Sequence, residues 1–244
     1  MASALAVVLA AGKGTRMKSE LPKVLVPVNG RPMVEYVLDT LEQAGVEQTV
    51  VVIGYRADLV RETLAHRSGL LYAEQKEQLG TGHAVMMCRE YLAAHDGPVV
   101  ILAGDSPMIE ARSIAELLAA FERDRPACLL GTAHKENPAG LGRIVRDADG
   151  NFQGIVEEKD ATEAQRQITE VNLSCYLFDA QKLLAALDQV RNDNKQQEYY
   201  LTDCPGILLD QGEKVQALPI LSDRETLSIN NMEELAIVEA ALRA

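Results

Sequence analysis

The stretch Ala4-Leu5-Ala6-Val7-Val8-Leu9-Ala10-Ala11, followed at once by Gly12-Lys13-Gly14-Thr15-Arg16, decides the fold. The first part is a short apolar run without a basic leader. It reads as a buried strand, not a signal peptide. The second part is a glycine turn at the carboxyl end of that strand, where open α/β sheets bind their ligands. Two glycines let the backbone approach a phosphate and aim N–H groups at it. Ala10, Ala11, Gly12 and Gly14 are therefore candidate nucleotide-binding residues. A plain turn explains the same glycines equally well. Arg16, a cationic fork, and Lys23, in Leu21-Pro22-Lys23-Val24-Leu25, tip the reading towards phosphate. A P-loop is excluded, because Val7 stands five residues before Gly12 and Gly14 follows Lys13; that motif needs glycine and Ser or Thr there. A dinucleotide fingerprint is excluded because Met17 occupies the place of its third glycine.

Outward from this turn, strand-like and amphipathic segments alternate. Strands are expected at Ala4–Ala10, Thr49–Ile53, Leu70–Ala73, Pro98–Leu102 and Ala127–Thr132. Helices are expected at Pro32–Ala44, Ala57–Ala65, His83–Ala94 and Ala111–Arg123. The alternation predicts an α/β fold, a Rossmann-like, mixed but mainly parallel sheet with helices on both faces. After about residue 135 the rhythm changes to a smaller β-rich part, with strands at Arg143–Arg146, Phe152–Glu157 and Val171–Phe178. The first two flank a hairpin-type turn, Asp147-Ala148-Asp149-Gly150-Asn151. Helices at Ala180–Val190 and Thr202–Gln211, a strand at Val215–Pro219 and a helix at Met232–Arg243 complete the chain.

The net charge of −12 makes this a poor partner for nucleic acid, whose phosphates need a basic surface. No apolar run of 18 residues suggests a membrane span. Cys88, Cys128, Cys175 and Cys204 are scattered and His is sparse, against zinc or a disulfide framework. A reducing, cytoplasmic location fits.

Three further groups carry chemistry. Glu74-Gln75 and Gln78-Leu79-Gly80-Thr81-Gly82-His83 join a strand to a helix. Gln75 can read the edge of a base. Gly80 gives backbone access, and Thr81 offers a hydroxyl or caps the helix. His83 reads as a packing residue. Asp105, in Leu102-Ala103-Gly104-Asp105-Ser106-Pro107, ends an apolar strand and is either a turn residue or a carboxylate facing the crevice. Gly142, Glu157 and Asn172 are paired donors and acceptors suited to a sugar, each with a plainer reading as bulge, solvated face or turn. No Ser-His-Asp or Cys-His constellation is present.

The patterns LAAGKGTRM and LPKVL, with the motifs above in the same order, resemble the sugar-phosphate nucleotidyltransferases. Within that family the chain looks most like the uridyltransferase domains of bacterial N-acetylglucosamine-1-phosphate uridyltransferases. The resemblance implies transfer of UMP from UTP to a sugar 1-phosphate, with N-acetylglucosamine 1-phosphate the first expectation and another sugar phosphate the alternative. A sugar-nucleotide-binding regulatory domain without turnover is a further alternative. It implies Arg16 and Lys23 as catalytic cations, and Gln75, Gly80 and Thr81 as the uracil site. Gly142, Glu157 and Asn172 become the sugar site, and Asp105 with Asn230 the ligands of Mg²⁺. Asn231 could instead cap the last helix. Residues 1–244 form one such domain on this reading, with a nucleotide side to about 135, a sugar side over about 136–230 and a closing helix over 231–244. The chain departs from the family at Ala103, Leu141, Leu173, Ser174 and Gln197, the last two standing where glycine is usual. It shows no hexapeptide repeat, so the trimer-forming β-helix of bifunctional relatives and its acetyltransferase are not expected. A monomer or small homo-oligomer follows, without nucleic-acid or membrane partners.

Overall fold

The structure is a computed structural model and describes residues 3–17 and 19–243. β1 (Leu5–Leu9) leads through two short 3-10 turns, Thr15–Met17 and Lys23–Leu25, to the paired two-residue strands β2 (Pro27–Val28) and β3 (Arg31–Pro32). The alternating half continues with α1 (Met33–Gln43), β4 (Gln48–Ile53), α2 (Ala57–Leu64), β5 (Leu70–Glu74), α3 (Thr81–Met86), α4 (Arg89–Ala93), β6 (Pro98–Ala103) and α5 (Ala111–Asp124). The remainder comprises β7 (Cys128–His134), β8 (Gly142–Arg146), β9 (Phe152–Val156), α6 (Glu163–Arg166), β10 (Glu170–Asp179), α7 (Ala180–Leu187), α8 (Cys204–Asp210), β11 (Val215–Leu218) and α9 (Met232–Arg243). Residue 244, the last of the helix expected over 231–244, lies outside the described residues.

The main sheet runs β11-β7-β10-β6-β1-β4-β5. Strands β1, β4, β5 and β6 are mutually parallel, and β11 is parallel to β7. Strand β10 lies antiparallel between β6 and β7. The hairpin β8–β9 extends from the amino-terminal part of β10. The mixed, mainly parallel sheet expected from the alternation is therefore present. Alternate residues of β1 enter two separate cores: Leu5 and Val7 pack on one face, Ala6 and Val8 on the other. Burial of both faces accounts for the continuous apolar run.

The helix expected over His83–Ala94 is two helices. At Met87 and Cys88 the amide donors bond to Ala84 O and Val85 O, three residues back, so the backbone tightens and turns. The break seats Cys88 fully in the core. All four cysteines are free and buried. No helix among the described residues is long and apolar enough to cross a membrane.

Candidate active site

Strand order creates the crevice. From β1 the sheet runs through β4 to β5 on one side and through β6 on the other, so the direction reverses between β1 and β6. Ligands of open α/β sheets bind beyond the carboxyl ends of strands at such a switch. Leu9 lies beside Ala103 in register, which brings the loops after both strands together. Gly104 N–H donates to Leu9 O at 2.9 Å, and a Cβ on Gly104 would stand 3.0 Å from that oxygen.

The glycine turn splits by function. Gly14 has φ +66, and a Cβ there would fall 2.6 Å from Lys23 Cβ. It is glycine so that the Lys23 stem can lie across it. A Cβ on Gly12 would meet nothing within 4 Å, so the bare backbone there faces open space. Ala10 N–H donates to Val52 O at 2.8 Å, and Ala11 O accepts from Tyr55 N and from Gln78 Nε2, both at 3.0 Å. Gln78, for which the sequence suggests no role of its own, thus ties the glycine turn to the Gln75–Thr81 segment. Its Gln-x-Gly-Thr spacing is the only signal that points to it.

Four expected residues meet at the crevice. The Lys23 ammonium forms an ion pair with Asp105 Oδ2 and donates to Asn230 Oδ1 at 3.0 Å. Arg16 donates to the same Asn230 oxygen at 3.1 Å. Asn230 is fixed by its own partners: its N–H donates to Glu234 at 2.6 Å and its Nδ2 to Ser228 Oγ at 3.3 Å. Asn231 does the capping, with Oδ1 accepting from Glu233 N and Glu234 N at 3.0 and 2.9 Å. Asn230 thus faces the two crevice cations and Asn231 the helix end.

The Gln75–Thr81 segment is equally tight. Gln75 is buried, and its Nε2 donates to Gly80 O at 3.0 Å and meets His83 Nδ1 at 3.1 Å. A carbonyl only accepts, so the nitrogen must face it. Both Gln75 N–H donors are spent, and Oε1 has no partner among the described residues. Gly80 sits at φ +107, ψ 175, where a Cβ would lie 2.5 Å from Tyr199 O. Thr81 does not cap α3 through its hydroxyl, which is one of the two roles its position suggests. Gly80 is the N-cap, and Thr81 Oγ1 accepts from Leu201 N at 3.0 Å because the 199–201 backbone crosses this turn.

Gly142, Glu157 and Asn172 assemble around β8–β10. Gly142 stands opposite Asn172 in register, and a Cβ there would be 3.1 Å from Ile155. Glu157 follows β9 and accepts from Thr202 Oγ1 at 3.1 Å. Burial is the main cause that raises the Glu157 carboxyl above the ordinary range, with Asp160 and Glu198 adding like charge. Asp203 is pushed up to about 6, chiefly by burial and then by Glu157, Asp193 and Asp160. The short turn Leu201–Asp203 joins the two motifs, since Leu201 holds Thr81 and Thr202 holds Glu157. Nothing in the spacing between residues 81, 157 and 202 announces that link.

Asp105 Oδ2 and Asn230 Oδ1 converge on one cation, the Lys23 ammonium. One carboxylate and one amide oxygen, completed by phosphate oxygens and water, is a donor set that suits Mg²⁺. The residues therefore fit that ion. Among the described residues there is no cluster of three or more His, Cys, Asp or Glu that could hold a metal by protein side chains alone.

Comparison with known proteins identifies the family. The chain is 46% identical over 238 residues to the Bifunctional protein GlmU of Exiguobacterium sp., covering 98% of this chain and 52% of that protein. It is 45% identical over 241 residues to the Bifunctional protein GlmU of Listeria monocytogenes, covering 99% and 52%. The chain thus spans about half the length of the curated relatives it matches. A UDP-glucose pyrophosphorylase complexed with UDP-glucose shares the fold, with a TM-score of 0.80 at 16% identity over 100% of this chain and 99% of that one. The profile of the MobA-like NTP transferase domain matches residues 6–201, and the chain belongs to that family.

Proposed function

We propose that the chain transfers UMP from UTP to N-acetylglucosamine 1-phosphate, giving UDP-N-acetylglucosamine and pyrophosphate, with Mg²⁺ as cofactor. The convergence of Arg16, Lys23, Asp105 and Asn230 at the β1/β6 switch point carries this reading. A phosphate oxygen of the sugar attacks the α-phosphorus, and the bond to the β-phosphate bridging oxygen breaks. The attacking oxygen is already an anion, so no general base is required. Catalysis is then positioning and charge neutralisation. Arg16 balances charge on the departing pyrophosphate, and Lys23 sits against the phosphates. Asp105 and Asn230 would hold Mg²⁺, which supplies further charge neutralisation when bound.

The base preference follows from Gln75. With both N–H groups spent on Gly80 and His83, it offers an acceptor only. Uracil presents an N3–H donor, whereas cytosine presents a bare N3. Gly80 and Thr81 complete this side, and Ala10, Ala11, Gly12 and Gly14 frame the phosphates. Gly142, Glu157 and Asn172 face the sugar. The nucleotide side lies before about residue 135 and the sugar side over about 136–230 of one domain. Four buried free thiols suit a reducing, cytoplasmic setting. We propose a monomer or small homo-oligomer.

A second reading keeps the chemistry but changes the sugar. Its motive is that Leu173 and Ser174 replace the family's Thr-Gly beside Asn172. Pyrophosphate release across UTP, CTP, dTTP and GTP, crossed with N-acetylglucosamine, glucose and galactosamine 1-phosphates, tests both. UTP with N-acetylglucosamine 1-phosphate should turn over fastest. A different best sugar overturns the first reading. Binding of UTP without turnover on any sugar points instead to a regulatory domain.

A further inference from the structure

Asn172 and Tyr176 stand four residues apart in β10, which would separate them by roughly 13 Å in a regular strand. Instead, Asn172 Nδ2 donates to the Tyr176 hydroxyl at 2.6 Å. A bulge closes the gap. Asn172 faces Thr132 and Cys175 faces Gly131, so three steps along β10 match one along β7. Leu173 and Ser174 are looped out, with Ser174 at φ 55. Strand β10 therefore advances only two steps between Asn172 and Tyr176, and both side chains lie on one face. Tyr176 is 1% exposed and Asn172 6%.

The amide is held from both ends. Its Oδ1 accepts from Ser174 N at 3.2 Å. A backbone N–H can only donate, so the oxygen must face Ser174 and the nitrogen must face the phenol. One amide N–H and one oxygen lone pair remain for a ligand. Gly142, opposite Asn172, keeps the approach clear of a Cβ.

We infer that Tyr176 is a positioning residue for the acceptor sugar. Its hydroxyl, delivered by the bulge, fixes the Asn172 amide so that an N–H meets a carbonyl oxygen on the sugar, as an acetamido group provides. A protonated amino substituent facing that N–H would set donor against donor and lose the contact. The inference rests on the proposed acceptor site at Asn172.

Steady-state kinetics of wild type, Tyr176→Phe, Asn172→Ala and the double variant test it, with thermal unfolding measured alongside. Tyr176→Phe should raise KM for N-acetylglucosamine 1-phosphate roughly five- to tenfold, the scale of one lost hydrogen bond. Its kcat and its KM for UTP should stay within about twofold of wild type. The double variant should be no worse than Asn172→Ala alone, because both changes remove the same contact. An unchanged sugar KM, or effects that add in full, overturns the inference. If Tyr176→Phe fails to fold, Asn172→Asp serves. The Tyr176 hydroxyl then donates, only acceptors face the sugar, and preference should move towards glucosamine 1-phosphate. No such shift also overturns it. Wild type inactive with every sugar 1-phosphate would sink the proposed function itself, a distinct result.

Discussion

The Lys23 ammonium is clasped by the Asp105 carboxylate across 82 residues of sequence, with the Asn230 amide oxygen on its other side at 3.0 Å. The Lys23 side chain is 14% exposed and that of Asp105 28%. The two oxygens suited to a divalent ion are thus already serving a monovalent one. Nucleotide phosphates would draw Lys23, and Arg16 beside it, off these oxygens. Metal and ammonium are then competitors in the free protein and partners once phosphates arrive.

Removing the competitor should therefore tighten metal binding while harming catalysis. Lys23→Met is expected to bind Mn²⁺ about tenfold more tightly than wild type in calorimetry without nucleotide, a change of about 1.4 kcal/mol. Lys13→Met removes a nearby charge that lies over Tyr55, not on these oxygens, and should change the affinity much less. Turnover of Lys23→Met, and likewise of Arg16→Ala, should fall at least about a hundredfold. Equal Mn²⁺ affinity in wild type and Lys23→Met would refute the competition.

Gly80 shapes the turn proposed to hold the base through its backbone conformation. Alanine at φ +107 would be strained, and its Cβ would collide with Tyr199 O, which itself accepts from Gly82 N at 2.8 Å. Gly80→Ala should lose about 2 kcal/mol or more in urea unfolding. Its KM for UTP should rise more than its KM for the sugar phosphate. Wild-type stability in this variant would contradict the crowding described.

Asp203 gives a pH signature. Its carboxyl titrates near 6 in the fold against an ordinary 3.8, so the folded protein keeps a proton that the unfolded chain has lost. Stability should fall as pH rises from about 4 to about 6 and stay lower above that. Asp203→Asn removes no capping bond, since this side chain makes none at the start of α8. The variant should be more stable than wild type at pH 7 and show a shallower slope over pH 4 to 6. Glu157, raised in the same direction, leaves a residual slope. Identical slopes in urea titrations of the two proteins would rule this out.

Gln197 has φ 56, a left-handed conformation that favours glycine. Its own side chain makes no hydrogen bond among the described residues. Gln197→Gly trades left-handed strain for chain entropy and should stabilise by about 0.5–1 kcal/mol. That corresponds to about 2 °C in melting temperature for a chain of this size. A lower melting temperature would show that the strain is relieved elsewhere.

Much of the fold was legible because burial leaves period and composition in the sequence. The apolar run of β1 reads as a doubly buried strand, and it is one. Arg16, Lys23 and Asp105 could be singled out because each follows a strand end or a glycine turn, where an α/β sheet opens to ligands. The partition of Asn230 and Asn231 is suggested only by the family resemblance, since two adjacent amides are chemically identical until one of them meets a helix N-terminus. The break at Cys88 was equally silent: the helical period runs through it, and only core packing demands the turn.

Local spacing along the chain therefore accounts for the alternating sheet, the glycine turn and the set of polar groups at its mouth. Which of those groups touch is a matter of how distant segments pack. Lys23 meets Asp105 because β1 and β6 are neighbours, Thr81 meets Leu201 because a distant turn crosses it, and Asn172 meets Tyr176 because two residues leave the β10 ladder. Contacts between remote segments depend on strand order and register, and neither leaves a periodic trace along one chain.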